Sequence, residues 1–144
     1  MDQTYSQDHT ALIAQDILSS IAPFADKATV VALQGDLGAG KTTLTQALAQ
    51  ALGVTETVVS PTFVIAKFYQ LHDNAFENMV HMDAYRIESL DELIPLGWQK
   101  IVQQPNTLIV VEWPEKIADA LPLDSHHFSI SHEGEYRRIK KSII

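Results

Sequence analysis

No cysteine occurs among the 144 residues, which excludes a disulfide-stapled scaffold, thiolate metal centres and cysteine nucleophiles, and suits a reducing compartment. Glycine and proline are sparse, six of each, too few for a collagen-like or low-complexity chain. No apolar run approaches the roughly 18 residues of a membrane span. The opening residues Met1-Asp2-Gln3-Thr4-Tyr5 carry no positive segment leading into an apolar stretch. The expectation is a cytoplasmic protein, neither secreted nor membrane-inserted. Positive charge is scarce too: 10 Lys and Arg stand against 18 Asp and Glu, a formal net charge of −8. Four of the ten (Arg137, Arg138, Lys140, Lys141) lie in the last eight residues, so the first 136 hold 6 basic and 18 acidic side chains. Such a body repels a phosphate backbone. Contact with nucleic acid is expected to be indirect or limited to the tail, which otherwise reads as a solvated charged face.

What is present is the balance of a folded domain, 46% hydrophobic and 19% charged residues, with no repeat or linker, so residues 1–144 read as one domain. Leu12, Ile13, Ile17 and Ile21 recur at helical spacing after Ser6 and Asp8, either of which suits a helix cap. Thr29-Val30-Val31-Ala32-Leu33 and Leu108-Ile109-Val110-Val111 have the short, β-branched, continuously apolar character of strands buried on both faces. Between them, Leu44, Ala47, Leu48 and Ala51 form a helical stripe that Gly53 stops. Phe63–Tyr69 and Met79–Met82, flanking His72-Asp73-Asn74, predict a hairpin, and Phe128 to Lys140 around Glu133-Gly134 predicts a second. Ser89-Leu90-Asp91-Glu92 is a capping box before a broken helical stretch, and Pro114 suits the start of a short helix. Parallel strands beside antiparallel pairs make an α/β, P-loop NTPase-like three-layer fold with a mixed parallel/antiparallel sheet.

The chemistry concentrates at Gly35-Asp36-Leu37-Gly38-Ala39-Gly40-Lys41-Thr42, which fits G-x-x-x-x-G-K-[ST] and sits between a buried strand and an amphipathic helix. Glycines let backbone N–H groups converge on phosphate oxygens, and the helix start aims its unpaired N–H groups at the same anion. Lys41 is positioned by this pattern to bridge phosphates and Thr42 to ligate Mg²⁺. A second metal-side carboxylate is expected at a strand tip. Glu112, after four apolar residues, is favoured over Asp83, which is then available to orient or deprotonate water, or is a strand-end turn residue. Ser60-Pro61-Thr62 reads as a switch segment or as a turn between strands. Arg86, the one arginine outside the tail, either neutralises transition-state charge or pairs with an acidic neighbour. His81, His126 and His127 read as structural histidines, and Trp98 and Trp113 as packing residues, Trp113 lying beside the site.

Four motifs together, Gly35 to Thr43, Ser60-Pro61-Thr62-Phe63, His81-Met82-Asp83-Ala84-Tyr85-Arg86 and Val111-Glu112-Trp113-Pro114-Glu115, resemble in order and spacing those of the bacterial TsaE family. The resemblance runs from about Thr10 to Glu115 and is loose beyond Leu121. It implies an ATPase of tRNA threonylcarbamoyladenosine biosynthesis, with ATP or ADP and Mg²⁺ as cofactors. Asp36, Leu37, Gly38, Ala39, Gly40, Lys41, Thr42 and Thr43 would then hold the phosphates, and Thr42 and Glu112 the metal. Ser60 and Thr62 would serve as the switch, and Asp83 would lie near the hydrolytic water, with Lys41 and Glu112 sharing the catalytic work. The partner implied is the TsaB–TsaD pair, which transfers a threonylcarbamoyl group to adenosine next to the tRNA anticodon and which ATP hydrolysis keeps turning over. Two other classes share the loop: a small-molecule kinase, for which no arginine-bearing lid insertion is visible, and a nucleotide-gated interaction module with little hydrolysis. A GTPase is disfavoured by the lack of Asn-Lys-x-Asp and of Asp-x-x-Gly after the second strand.

Overall fold

A computed structural model of the chain describes residues 1–58 and 65–142. The strands are β1 (Asp2–Tyr5), β2 (Thr29–Gln34), β3 (Ala66–Gln70), β4 (Asn78–Asp83), β5 (Thr107–Glu112), β6 (His126–Glu133) and β7 (Tyr136–Lys141). The helices are α1 (Thr10–Ser19), α2 (Lys41–Ala51), α3 (Leu93–Leu96) and α4 (Trp98–Ile101), with 3-10 turns at Gln7–His9, Leu90–Glu92 and Pro114–Ala120. One seven-stranded sheet runs in the order β1-β7-β6-β2-β5-β4-β3. Its centre, β6-β2-β5-β4, is parallel; β3 on one side and β7 and β1 on the other add antiparallel edges.

Strand alternation divides the interior into two layers of side chains. On β5, Leu108 and Val110 join the core under α1 and α2, with Ile13, Ile17, Leu44 and Leu48. Ile109 and Val111 face the other way, against Leu93, Trp98, Ile101 and Ile117. Both faces of β2 and β5 are therefore covered, which is why these strands are apolar throughout and why the fold has three layers.

Local chemistry explains most element boundaries. Gly53, at φ 86°, ends α2 with Val54 N–H donating to the Ala49 carbonyl, a left-handed stop that side chains with a β-carbon resist. The capping box at Ser89 forms, with Glu92 accepting from Ser89 N–H, but it opens a 3-10 turn, and Gly97 breaks the stretch into α3 and α4. Both expected hairpins are present among the described residues, with β6 and β7 joined at Gly134-Glu135.

Several expectations are corrected. Neither Ser6 nor Asp8 caps α1; its N-cap is His9, and Ser6 instead precedes the 3-10 turn and bonds His9 Nδ1 at 3.2 Å. Leu12 points outward, and the buried stripe is Thr10, Ile13, Ala14 and Ile17. On α2, Ala51 is exposed, and Thr45 and Ala49 take inward places beside Leu44 and Leu48. The amino-terminal residues form an edge strand, β1, antiparallel to β7. The short helix expected at Pro114 is present, as a 3-10 helix over Pro114–Ala120.

Candidate functional site

The carboxyl ends of β2, β4 and β5 lie on one edge of the sheet because these strands are parallel, with Leu33 opposite Glu112 and Glu112 opposite Asp83. Open α/β sheets bind ligands at this edge. A pocket of about 390 Å³ opens there, lined by Leu37, Gly38 and Gly40 to Thr43 of the loop and helix start together with Asp83, Tyr85, Glu112, Trp113 and Arg137.

The loop leaves β2 at Gly35 and enters α2 at Lys41. Gly40, the α2 N-cap, has φ 107°, a conformation open to glycine and costly for residues with a β-carbon. Lys41 is buried: its ammonium donates to the carbonyls of Gly35 (2.5 Å) and Asp36 (2.9 Å) and lies 4.1 Å from the centre of the Trp113 ring. Burial holds its pKa below the ordinary lysine value, against the opposing pull of Glu112, Glu115, Asp83 and Asp36.

Thr42 Oγ1 donates to Glu112 Oε1 at 2.9 Å, tying the start of α2 to the tip of β5. The other carboxylate oxygen accepts from His81 Nε2 at 2.5 Å. All three side chains lie beside the sheet edge, with Glu112 and His81 buried. Hydroxyl and carboxylate oxygens are the hard donors that Mg²⁺ takes, and Mg²⁺ needs only one or two protein ligands when phosphates and waters complete its shell. The Thr42–Glu112 pair therefore fits that ion, and among the described residues no cluster of three His, Asp or Glu offers an all-protein metal cage. Asp83, also buried, accepts at Oδ1 from Tyr85 N–H at 2.9 Å. Tyr85 packs its ring 4.9 Å from that of Trp113, whose backbone holds a left-handed φ of 58°. Such a conformation in a residue with a β-carbon is a form of strain that concentrates at functional sites.

Of the residues singled out in the sequence, Leu37, Gly38, Gly40, Lys41, Thr42, Thr43, Asp83 and Glu112 line one pocket, whereas Asp36 and Ala39 do not line it and Ala39 is buried in the core. Ser60 and Thr62 lie outside the described residues. Arg86 is exposed in the turn after β4 and is not among the lining side chains. The arginine that does line the pocket is Arg137, from the tail read as a solvated face. The sequence held a signal for it: Arg137 is two residues before Ile139, so in a strand both share a face, and Ile139 is fully buried. His81, read as structural, is structural at the site itself, holding Glu112.

A glycine-rich loop between a buried parallel strand and a helix, with a carboxylate on the adjacent strand bonded to the loop hydroxyl, places the molecule in the class of α/β proteins with a P-loop NTPase-like fold. Comparison with known proteins narrows this. The chain belongs to the family described as threonylcarbamoyl adenosine biosynthesis protein TsaE, whose model matches residues 4–140. Among its relatives, the tRNA threonylcarbamoyladenosine biosynthesis protein TsaE of Bacillus subtilis is 37% identical over 136 residues, covering 94% of this chain and 80% of that one. The protein of the same name from Streptomyces coelicolor is 46% identical over 97 residues, covering 66% and 63%. The crystal structure of Bacillus subtilis YdiB superposes with a TM-score of 0.72 at 31% identity, covering 98% of this chain and 83% of that one.

Proposed function

We propose that the chain is a Mg²⁺-dependent ATPase that binds the TsaB–TsaD pair and sustains its turnover in threonylcarbamoyl modification of tRNA adenosine. The observation that carries this reading is the hydrogen bond from Thr42, next to Lys41 at the start of α2, to Glu112 on β5, with Asp83 in register beside it. That arrangement supplies the parts of phosphoryl transfer to water: a phosphate cradle, a cation for the phosphate oxygens, a metal-side oxygen pair and a carboxylate within the same pocket. The family's role in tRNA threonylcarbamoyladenosine biosynthesis, carried in the relatives' names, supplies the context.

In this mechanism the N–H groups at the start of α2 and the Lys41 ammonium bind the phosphate chain of ATP. Thr42 and Glu112 hold Mg²⁺, which when bound neutralises charge on the phosphate oxygens. His81 keeps Glu112 oriented by occupying its second oxygen. Asp83 orients the attacking water and accepts its proton as the bond to the terminal phosphorus forms and the bond to the ADP oxygen breaks. Burial lowers the pKa of Lys41, and the carboxylates of Glu112, Glu115, Asp83 and Asp36 oppose that shift, favouring the cationic form this work uses.

Reconstitution tests the reading. A TsaB–TsaD pair supplied with threonylcarbamoyl adenylate and tRNA is expected to modify many tRNAs per complex only when this chain and Mg-ATP are present, and to stall when Lys41→Ala replaces it. Multiple turnovers with Lys41→Ala equal to those with the parent chain would refute the proposal.

A further inference from the structure

Two adjacent arginines on β7 face opposite ways, and their surroundings differ in kind. Arg138 is fully engaged, donating to both carboxylate oxygens of Asp2 at 2.8 and 2.9 Å and pairing with Glu133. Arg137, on the other face, has no ion pair among the described residues, and its Nε is buried without a hydrogen-bond partner. A buried donor left unpaired costs free energy, so such a group points to something it is placed to meet.

What it faces is the phosphate loop. A β-carbon added to Gly40 would lie 2.8 Å from Arg137 Nε, 3.0 Å from its Cδ and 3.2 Å from its Cζ. The guanidinium side chain therefore occupies the space that the glycine leaves open at the start of α2, and it lines the same pocket as Lys41, Thr42 and Thr43. The β6–β7 hairpin holds it there through two further contacts. His132, opposite Arg137 in register, donates from Nε2 to the Gly38 carbonyl at 2.7 Å, and the Ile130 carbonyl lies 2.5 Å from where a Gly35 β-carbon would be. Tyr5, opposite Arg137 in register on β1 and therefore on the same face, is buried beside it.

We propose that Arg137 is a second phosphate-binding cation of this site, delivered by the carboxyl-terminal hairpin, and that it contacts the phosphate chain of the bound nucleotide. The proposal rests on the nucleotide-binding part of the reading above. An arginine fork matches phosphate oxygens with two donors where a lysine offers a point charge. In a chain with net charge −8, a cation aimed at the loop with no carboxylate paired to it is placed for an incoming anion. The hairpin then forms a wall of the phosphate site.

The test is displacement of a fluorescent ADP analogue from the full chain by tripolyphosphate, ADP and adenosine, in the parent, Arg137→Ala, Arg137→Lys and Lys41→Ala. Arg137→Ala is expected to weaken tripolyphosphate and ADP by roughly tenfold or more, as loss of a charge-assisted hydrogen bond does. Adenosine binding stays unchanged, and Arg137→Lys recovers part of the loss. Should the alanine variant fail to fold, Arg137→Gln, which keeps the stem over Gly40 and removes the charge, decides by the same criterion. Parent-like phosphate affinity in the variant, alongside its loss in Lys41→Ala, would overturn the proposal and leave the nucleotide-binding reading standing. An equal loss for adenosine would overturn it in favour of a base contact. Absence of any displaceable binding by the parent chain would overturn both.

Discussion

Lys41 combines two demands that pull against each other. Its ammonium is buried, satisfied by the Gly35 and Asp36 carbonyls and seated on Trp113, and burial pushes its pKa below the ordinary lysine value. The unfolded chain binds that proton more tightly than the folded one, so stability rises with pH through the window between the lowered and the ordinary value. At neutral pH the charged group works against the fold. Lys41→Met, of similar length and without the charge, is expected to melt at a temperature at least as high as the parent at about pH 7, with the difference shrinking as the pH approaches about 10. It should lose nucleotide binding. Thermal denaturation across that range checks it; a clear drop in melting temperature at neutral pH would mean the two carbonyl contacts outweigh the burial cost. Asp83 separates binding from chemistry. Because it lies off the loop and accepts from Tyr85 N–H, Asp83→Ala is expected to slow hydrolysis by about a hundredfold or more, the scale of a lost general base, while nucleotide affinity changes by about threefold at most. Hydrolysis at the parent rate would remove Asp83 from the mechanism.

At the scale of elements, what was legible in the sequence follows from how each element is stabilised. Strands β2 and β5 are buried on both faces, so their composition alone marks them, and the loop between β2 and α2 is marked by its glycines. β1 carried no such mark: three of its four residues are exposed, and it is held by its ladder to β7 and by the one buried residue, Tyr5. An edge strand of this kind is a consequence of the partner it finds. Arg137 is a different case: it shares a face with the buried Ile139 in a hairpin strand, a local alternation that charge counting along the tail overlooks. Glu112 and Asp83 stand out in the sequence because a strand tip after an apolar run is a local pattern, whereas the bond from His81 to Glu112 depends on two strands meeting in parallel. Tyr5→Ala tests the importance of β1. Removing this buried ring is expected to cost roughly 3 kcal/mol, read as a lowered denaturant midpoint with an unchanged slope; a cost below about 0.5 kcal/mol would mean that β1 is ornamental to the sheet.

At the scale of the whole molecule, charge is distributed in a way that suits a protein docking on proteins more than one gripping RNA. The chain is acidic overall, and two of the four basic tail residues are engaged within it, Arg138 on Asp2 and Glu133 and Arg137 against the phosphate loop, while Lys140 and Lys141 are exposed. Hydrolysis by such a small domain is then expected to be slow alone and to quicken on the partner that completes or orders the site, since assembling a catalytic constellation on binding is a common way of coupling turnover to partnership. The most direct measurement is phosphate release from Mg-ATP by the purified chain, alone and with the TsaB–TsaD pair, with Lys41→Ala as the blank and EDTA as the metal-free control. Slow release that rises with the pair and vanishes in both controls is the predicted result. Release that the pair leaves unchanged, or that persists in Lys41→Ala, would contradict the account of a partner-gated, Mg²⁺-dependent ATPase.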